Sequence, residues 1–333
     1  MSLFERLAQI KTQREGQPVT GMSVPLAKAA SPPATESVCS SILPAAMLDG
    51  QEALAAGGSF CLRQRELKLS WPVSLPSTLI YTNLELIWGI GPVTAAQLKA
   101  NGVRTIADLT SHRRFGPDAR RVLDLIAGRQ AIELSRRGAT DAELMGLFSP
   151  EEAVFLDIET TGLWASQPLF LVGIMKRQGQ DMVLEQLLAR HYREERALLA
   201  YLAQVLKRVR VMVTFNGKRF DWPYIKERFI YYHLPLPKEM LQVDLYFHAK
   251  RLPHNLPNCK LVTLEENLLG HEREGDVPGY LVPTIYHRFV QTQDPCLLAP
   301  VLEHNVQDVI TLAQLLPLVM LAQEGTTYAG AGG

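Results

Sequence analysis

The spacing of apolar positions divides the chain into stretches of different period. Residues 1–46 hold a short helical stretch and then KAASPPATESVCSSILP, small and proline-rich, a composition that predicts a disordered leader. Residues 47–82 contain GGSFCLRQRELKLS, whose partial alternation predicts one or two strands in a small ordered patch. Residues 83–148 read as helical throughout. Over residues 150–318 the rhythm changes. AVFLDIE, LFLVGIMKR and DMVLEQLLA predict three consecutive strands, REERALLAYLAQVLKR an amphipathic helix and VRVMVTF a further strand. WPYIKERFIYYH and PVLEHNVQDVITLAQLLPLVML predict the last helices. A mixed sheet with helices on its faces is an α/β arrangement. The closing EGTTYAGAGG, residues 324–333, predicts a flexible tail.

Composition narrows the class without naming the chemistry. With 333 residues, 47% of them hydrophobic, the chain can bury more than one domain's core. Lysine plus arginine (34) equals aspartate plus glutamate (34), so any basic surface has to be local. Cys39, Cys61, Cys259 and Cys296 lie far apart with no CxxC pair, which predicts reduced thiols in a cytoplasmic protein. No run approaches the ~18–20 apolar residues that span a bilayer, and the first residues do not read as a signal peptide. No membrane association is expected.

The candidate chemistry is acidic. In VFLDIETTGL, Asp157 and Glu159 end a strand and, by its period of two, point to one side. Two such carboxylates repel and raise each other's pKa unless a divalent cation neutralises them; magnesium and manganese prefer oxygen ligands. Alone, the pair would equally suit a turn facing water. A third acid, Asp221, follows a strand and a turn carrying Asn216 and Gly217, where it would also suit a helix N-cap before Trp222-Pro223. His304 and Asp308 are four apart and share one helical face.

Taken as an ordered set, Asp157, Glu159, Asp221 and Asp308 resemble the four-acid signature of the DEDD (DnaQ-like) exonucleases on the ribonuclease H-like fold. More narrowly, NCKLVTLEENLLGHEREGDVPGYLVPTIYHRFV followed by EHNVQDVITLAQLL is similar to the YprB-like branch. The resemblance covers roughly residues 150–318. It implies a ribonuclease H-like mixed sheet and hydrolysis of phosphodiester bonds with two Mg2+ or Mn2+ ions held by those four acids. It also implies action from a 3′ end, a role in DNA repair and a helicase as partner. In the superfamily's last motif three residues separate a tyrosine from the aspartate, or four separate a histidine from it; here three residues lie between His304 and Asp308. His304 takes the tyrosine's place and is the candidate general base.

Other positions are read from the residues. Thr160, Gly162, Asn216 and Lys218 are candidate substrate contacts, although turn geometry accounts equally for Gly162 and Asn216. Lys218, Arg219 and Arg251 could meet phosphates, although exposed lysines and arginines usually keep a surface soluble. Asp244 could be a further acid near the site, with a surface or structural use the favoured reading. A second signal, LELIWGIGPVTAAQLKANGVRTIADL, resembles a helix-hairpin-helix; a hairpin used only for packing is the alternative. Its Gly89 and Gly91, with Thr94 and Lys99, are expected to meet the DNA backbone. Ile87, Ile90, Ala95 and Leu98 would pack the hairpin, and SHRRFGPDARR supplies positive charge beside it. DNA is therefore the expected partner, with RNA as an alternative substrate and a non-catalytic nucleic-acid-binding scaffold as the competing class. Oligomeric state is not legible.

Overall fold

The computed structural model describes the backbone of residues 42–252, 256–273 and 275–329, with side chains as far as Met320. Residues 1–41 of the expected leader, and residues 330–333 of the expected tail, lie outside the described residues. The described strands are β1 (Gln51–Ala55), β2 (Gly58–Leu67), β3 (Ala153–Thr160), β4 (Leu169–Gln178), β5 (Asp181–Leu188), β6 (Val211–Thr214) and β7 (Leu241–Asp244). They form one seven-stranded sheet in the order β1-β2-β5-β4-β3-β6-β7. Strands β1 to β5 pair antiparallel where they meet, whereas β6 and β7 run parallel to β3. This is the expected mixed sheet.

Between β2 and β3 lies the helical stretch: α1 (Pro92–Ala100), α2 (Gly116–Ala127), α3 (Ala131–Arg136) and α4 (Asp141–Met145). After β5 come α5 (Glu195–Leu206), α6 (Asp221–Tyr231), α7 (Leu245–Ala249), α8 (Leu261–Leu264), α9 (Val282–Thr292) and α10 (Pro295–Ala329). A π turn, Glu265–Leu269, extends α8.

Three features differ from the sequence expectation. Strands β1 and β2 are no separate patch, because β2 pairs with β5 from Cys61↔Leu188 to Leu67↔Met182 and widens the main sheet. Alternation in β2 was only partial because Phe60, Cys61 and Leu62 are buried in succession while Gln64, Arg65 and Glu66 are exposed. Strand β7, only LQVD, is too short to carry a period. The backbone of α10 stays helical to Ala329, through most of the stretch expected as a flexible tail.

Each face of the sheet has its own core. Phe155, Met175, Val213 and Val243 pack with the helical stretch and with Val306, Val309, Leu312 and Leu316 of α10. On the other face, Val154, Leu156, Ile174 and Met212 pack with α5, α6, α9 and the start of α10. Asp157 and Glu159 share the side of Phe155, so the strand period aims both acids at the face that α10 covers.

Candidate active site

How closely α10 can approach β3 and β4 is set by one missing side chain. Gly173 of β4 pairs with Asp157. A Cβ there would lie 2.4 Å from Asn305 Oδ1 and 2.8 Å from a Val309 methyl. The bare backbone lets the helix sit against the strands, and fully buried Asn305 donates from Nδ2 to Asp157 Oδ2 at 2.9 Å. Gln186 Nε2 in turn donates to Asn305 Oδ1 at 3.0 Å, fixing which end of the amide faces the acid.

On the same side of α10, one turn apart, stand His304 and Asp308. His304 Nε2 lies 3.7 Å from Glu159 Oε1 and 3.6 Å from Asp308 Oδ2. Its Nδ1 is 2.6 Å from Asp276 Oδ1, which fixes the ring's orientation. Asp308 Oδ1 accepts from Arg273 Nη2 at 2.6 Å. Arg273 also reaches Glu265 Oε2 at 2.6 Å and Asp276 Oδ2 at 3.3 Å, and Thr311 Oγ1 donates to Glu265 Oε1.

Asp221 is the first residue of α6 rather than its cap. It is buried, and the turn before it places it. Asn216 adopts a left-handed backbone (φ 62°), while Gly217 has no room for a Cβ beside the Thr214 hydroxyl. Asp244 holds this turn: its carboxylate accepts from the backbone N–H of Asn216 (2.7 Å), Lys218 (3.0 Å) and Tyr246 (3.2 Å). Asp244 is thus committed to the backbone of the turn, although its charge still reaches Asp221.

The electrostatics tie the four acids together. Burial, then the charges of Asp308, Glu159 and Asp221, push the Asp157 carboxyl well above its ordinary range; the Asn305 hydrogen bond opposes them. Burial likewise raises Asp221 to about 8, with Asp244 and Glu159 adding to it and hydrogen bonds from its own backbone and Ile158 opposing. At His304, burial favours the neutral ring, yet Asp308, Asp276 and Glu159 together raise it to about 9. Four acids whose charges meet at Asp157 form an oxygen donor set suited to a hard divalent cation. In this arrangement, however, no three His, Cys, Asp or Glu side chains among the described residues converge on a common ligand point.

The remaining predicted residues divide. Thr160 is buried and its hydroxyl donates to the Gly162 carbonyl at 2.7 Å, closing the turn after β3. The loop that follows is braced from below: Tyr224 donates to the Gln167 carbonyl and Arg228 to the Ala165 carbonyl. Arg228 is itself held by buried Glu195 at 2.6 Å. This brace leaves Trp164 72% exposed, five residues beyond Glu159. Buried Asn216 keeps an Oδ1 with no hydrogen-bond partner among the described residues. The exposed Lys218 side chain reaches towards Asp141 of the helical stretch (4.0 Å).

The hairpin residues form a second surface. Leu84–Leu86 is a three-residue 3-10 turn, shorter than the expected first helix. Gly89 is left-handed (φ 86°), Gly91 caps α1 and Pro92 opens it. Ile87, Ile90 and Ala95 are buried and Leu98 half-buried, as the packing pattern predicted. Thr94 is half-buried, Lys99 exposed, and Trp88 exposed with its backbone N–H donating to Asp118. Arg113, Arg114, Arg120 and Arg121 are all exposed on the same stretch.

Sequence reasoning missed Asn305, Asp276, Arg273 and Trp164. Asn305 was within reach, because it lies between His304 and Asp308 in EHNVQD. Asp276 and Arg273 come from an irregular segment with no period to aim a side chain.

The family model described as RNase_H superfamily matches residues 154–320. The uncharacterized protein YprB of Bacillus subtilis (strain 168) is 37% identical over 174 residues, 50% of this chain and 42% of the relative. The chain thus spans less than half the length of that relative. The family B DNA polymerase from the hyperthermophilic archaeon Pyrobaculum calidifontis is 20% identical over 52% of this chain and 25% of that one, with a TM-score of 0.42.

Proposed function

The chain belongs to the RNase_H superfamily, and from that premise we propose that it is a metal-dependent 3′–5′ exonuclease acting on DNA, in repair. The observation that carries this reading is the acid cluster: the charges of Asp308, Glu159 and Asp221 all reach Asp157, with an imidazole set beside them. Asp157, Glu159, Asp221 and Asp308 would hold Mg2+ or Mn2+. When bound, such ions generate a hydroxide at neutral pH and stabilise the leaving oxygen of a phosphodiester.

The chain's own residues do the rest. Asn305 orients Asp157 through its amide. His304, with Nδ1 tied to Asp276, presents Nε2 to the acids and takes the proton of the attacking water. Asp308, Asp276 and Glu159 raise the ring to about 9, and neutralising Asp308 and Glu159 would remove two of the charges that do so. Trp164 offers an apolar face for the terminal base, and the hairpin at Gly89 and Gly91 holds the strand by its backbone. Phosphate contacts of that kind carry no sequence information, so cleavage would be sequence-tolerant.

The test is an oligonucleotide labelled at its 5′ end, incubated with the protein in Mg2+, Mn2+ or EDTA. A ladder in either metal and none in EDTA is expected. RNA degraded in preference to DNA moves the substrate class and keeps the chemistry. Binding without cleavage in every metal overturns the enzyme reading in favour of a scaffold.

A further inference from the structure

Arg273 is the cation that meets the acid cluster. Its side chain is 7% exposed and its guanidinium lies 2.6 Å from Asp308, 2.6 Å from Glu265 and 3.3 Å from Asp276. Asp308 has two oxygens. Arg273 engages Oδ1, and Oδ2 faces the imidazole of His304. The acid assigned to hold a metal ion therefore has both its oxygens facing cationic or imidazole nitrogens, while no three acid, histidine or cysteine side chains among the described residues converge on one point.

We infer that Arg273 is the built-in counter-cation of the metal-free site: it holds Asp308 by Oδ1 and yields that oxygen when a divalent ion binds. The inference rests on the metal-dependent reading above. The physical reason is charge. Clustered carboxylates without a metal are neutralised by protons or offset by positive groups, and a guanidinium beside incoming divalent ions is repelled by them.

The local structure suits an exchange. Released from Asp308, the guanidinium keeps Glu265, which Thr311 holds in place, and Asp276, so it is not stranded. Gly270 and Gly275 flank it, both left-handed (φ 69°) with nothing within 4 Å of where a Cβ would stand. Arg273 acts through Asp308 and is a positioning residue. A purely structural brace would predict the opposite effect of removing it.

The experiment is a titration of the full chain with Mn2+, followed by calorimetry, on wild type, Arg273→Gln, Asp308→Asn and the double variant. Arg273→Gln is expected to bind Mn2+ roughly fivefold or more tightly. The gain should vanish in the Asp308→Asn background, because the two residues share one interaction. Should Arg273→Gln fail to fold with Glu265 left alone, Arg273→Gln/Glu265→Gln removes that charge and is read in the same way. Hydrogen exchange of the peptide spanning 270–277 should quicken when wild type binds Mn2+. Unchanged or weaker binding by Arg273→Gln, or slower exchange of that peptide, overturns the inference while leaving the nuclease reading intact. Absence of Mn2+ binding by wild type and every variant overturns both.

Discussion

Nδ1 of His304 lies 2.6 Å from Oδ1 of Asp276, and this contact turns the opposite nitrogen of the ring towards Glu159 and Asp308. A carboxylate behind an imidazole fixes both its tautomer and its direction. Asp276→Asn should therefore lower kcat about 10–100-fold with a smaller change in KM. His304→Ala should lose about 100–10,000-fold while metal binding persists. The double variant should be little worse than His304→Ala, since Asp276 acts on the reaction through the ring and its other contact, Arg273 at 3.3 Å, is also held by Glu265 and Asp308. Multiplying losses in the double variant would show that Asp276 has another role.

Acid crowding makes a prediction about pH in the metal-free protein. Asp221 holds its proton up to about 8 against an ordinary 3.8, and His304 up to about 9 against 6.5. Both bind protons more tightly folded than unfolded, so rising pH removes stability. Asp221's contribution is complete below 3.8 and lost through about 8; that of His304 is complete below 6.5 and lost through about 9. In EDTA these two groups should make the melting temperature fall from about pH 4 to about pH 9. Asp221→Asn should flatten the early part of that fall, and Mn2+ should reduce it. A melting temperature that rises over the same range in EDTA would contradict this account of the cluster.

The fold was legible where a period could build up. Ten-residue β4 and twelve-residue α5 stand out by their apolar spacing, and arithmetic alone places the DxE pair on one face. The four acids and His304 stand out only as an ordered set that resembles the DEDD exonucleases; alone, each motif suits a turn, a helix cap or a solvated face better. Short or irregular pieces were not legible: β7 has four residues, and Asp276 and Arg273 sit where no period aims a side chain. That β2 joins the main sheet was hidden as well, because pairing between strands so distant in sequence leaves no local trace. Asp244 shows the limit from the other side. As a lone acid in sequence it suits a surface or structural use better than the site, and its three backbone N–H partners show which structural use it is.

Gly173 should be intolerant of even one methyl. A Cβ 2.4 Å from Asn305 Oδ1 and 2.8 Å from Val309 must push α10 away from β4. Overpacking of that kind costs about 1–3 kcal/mol. Gly173→Ala is expected to fold, to melt several degrees lower and to lose most activity, because Asn305 leaves Asp157 as His304 and Asp308 shift. Wild-type turnover by a folded Gly173→Ala protein would mean that the seating of the helix does not set the site.

The hairpin makes a separable prediction. Gly89 is left-handed, and Arg114 lies beside it, with a nitrogen 3.5 Å from where a Cβ would stand. Arg137, paired with Asp118 at 2.8 Å, also donates to the Leu86 carbonyl and so braces the turn. Gly89→Ala forces a side chain into a conformation that costs about 1–2 kcal/mol and should distort the turn. Arg113→Ala/Arg114→Ala leaves the backbone alone and removes charge, together with the stacking of Arg114 over the Phe115 ring. Both are expected to weaken binding to duplex DNA. The arginine pair should also reduce the slope of log affinity against log salt by about one for each phosphate that the variant no longer neutralises. Measured by fluorescence anisotropy in EDTA, so that cleavage plays no part, an unchanged affinity and slope in both variants would leave the hairpin as packing alone.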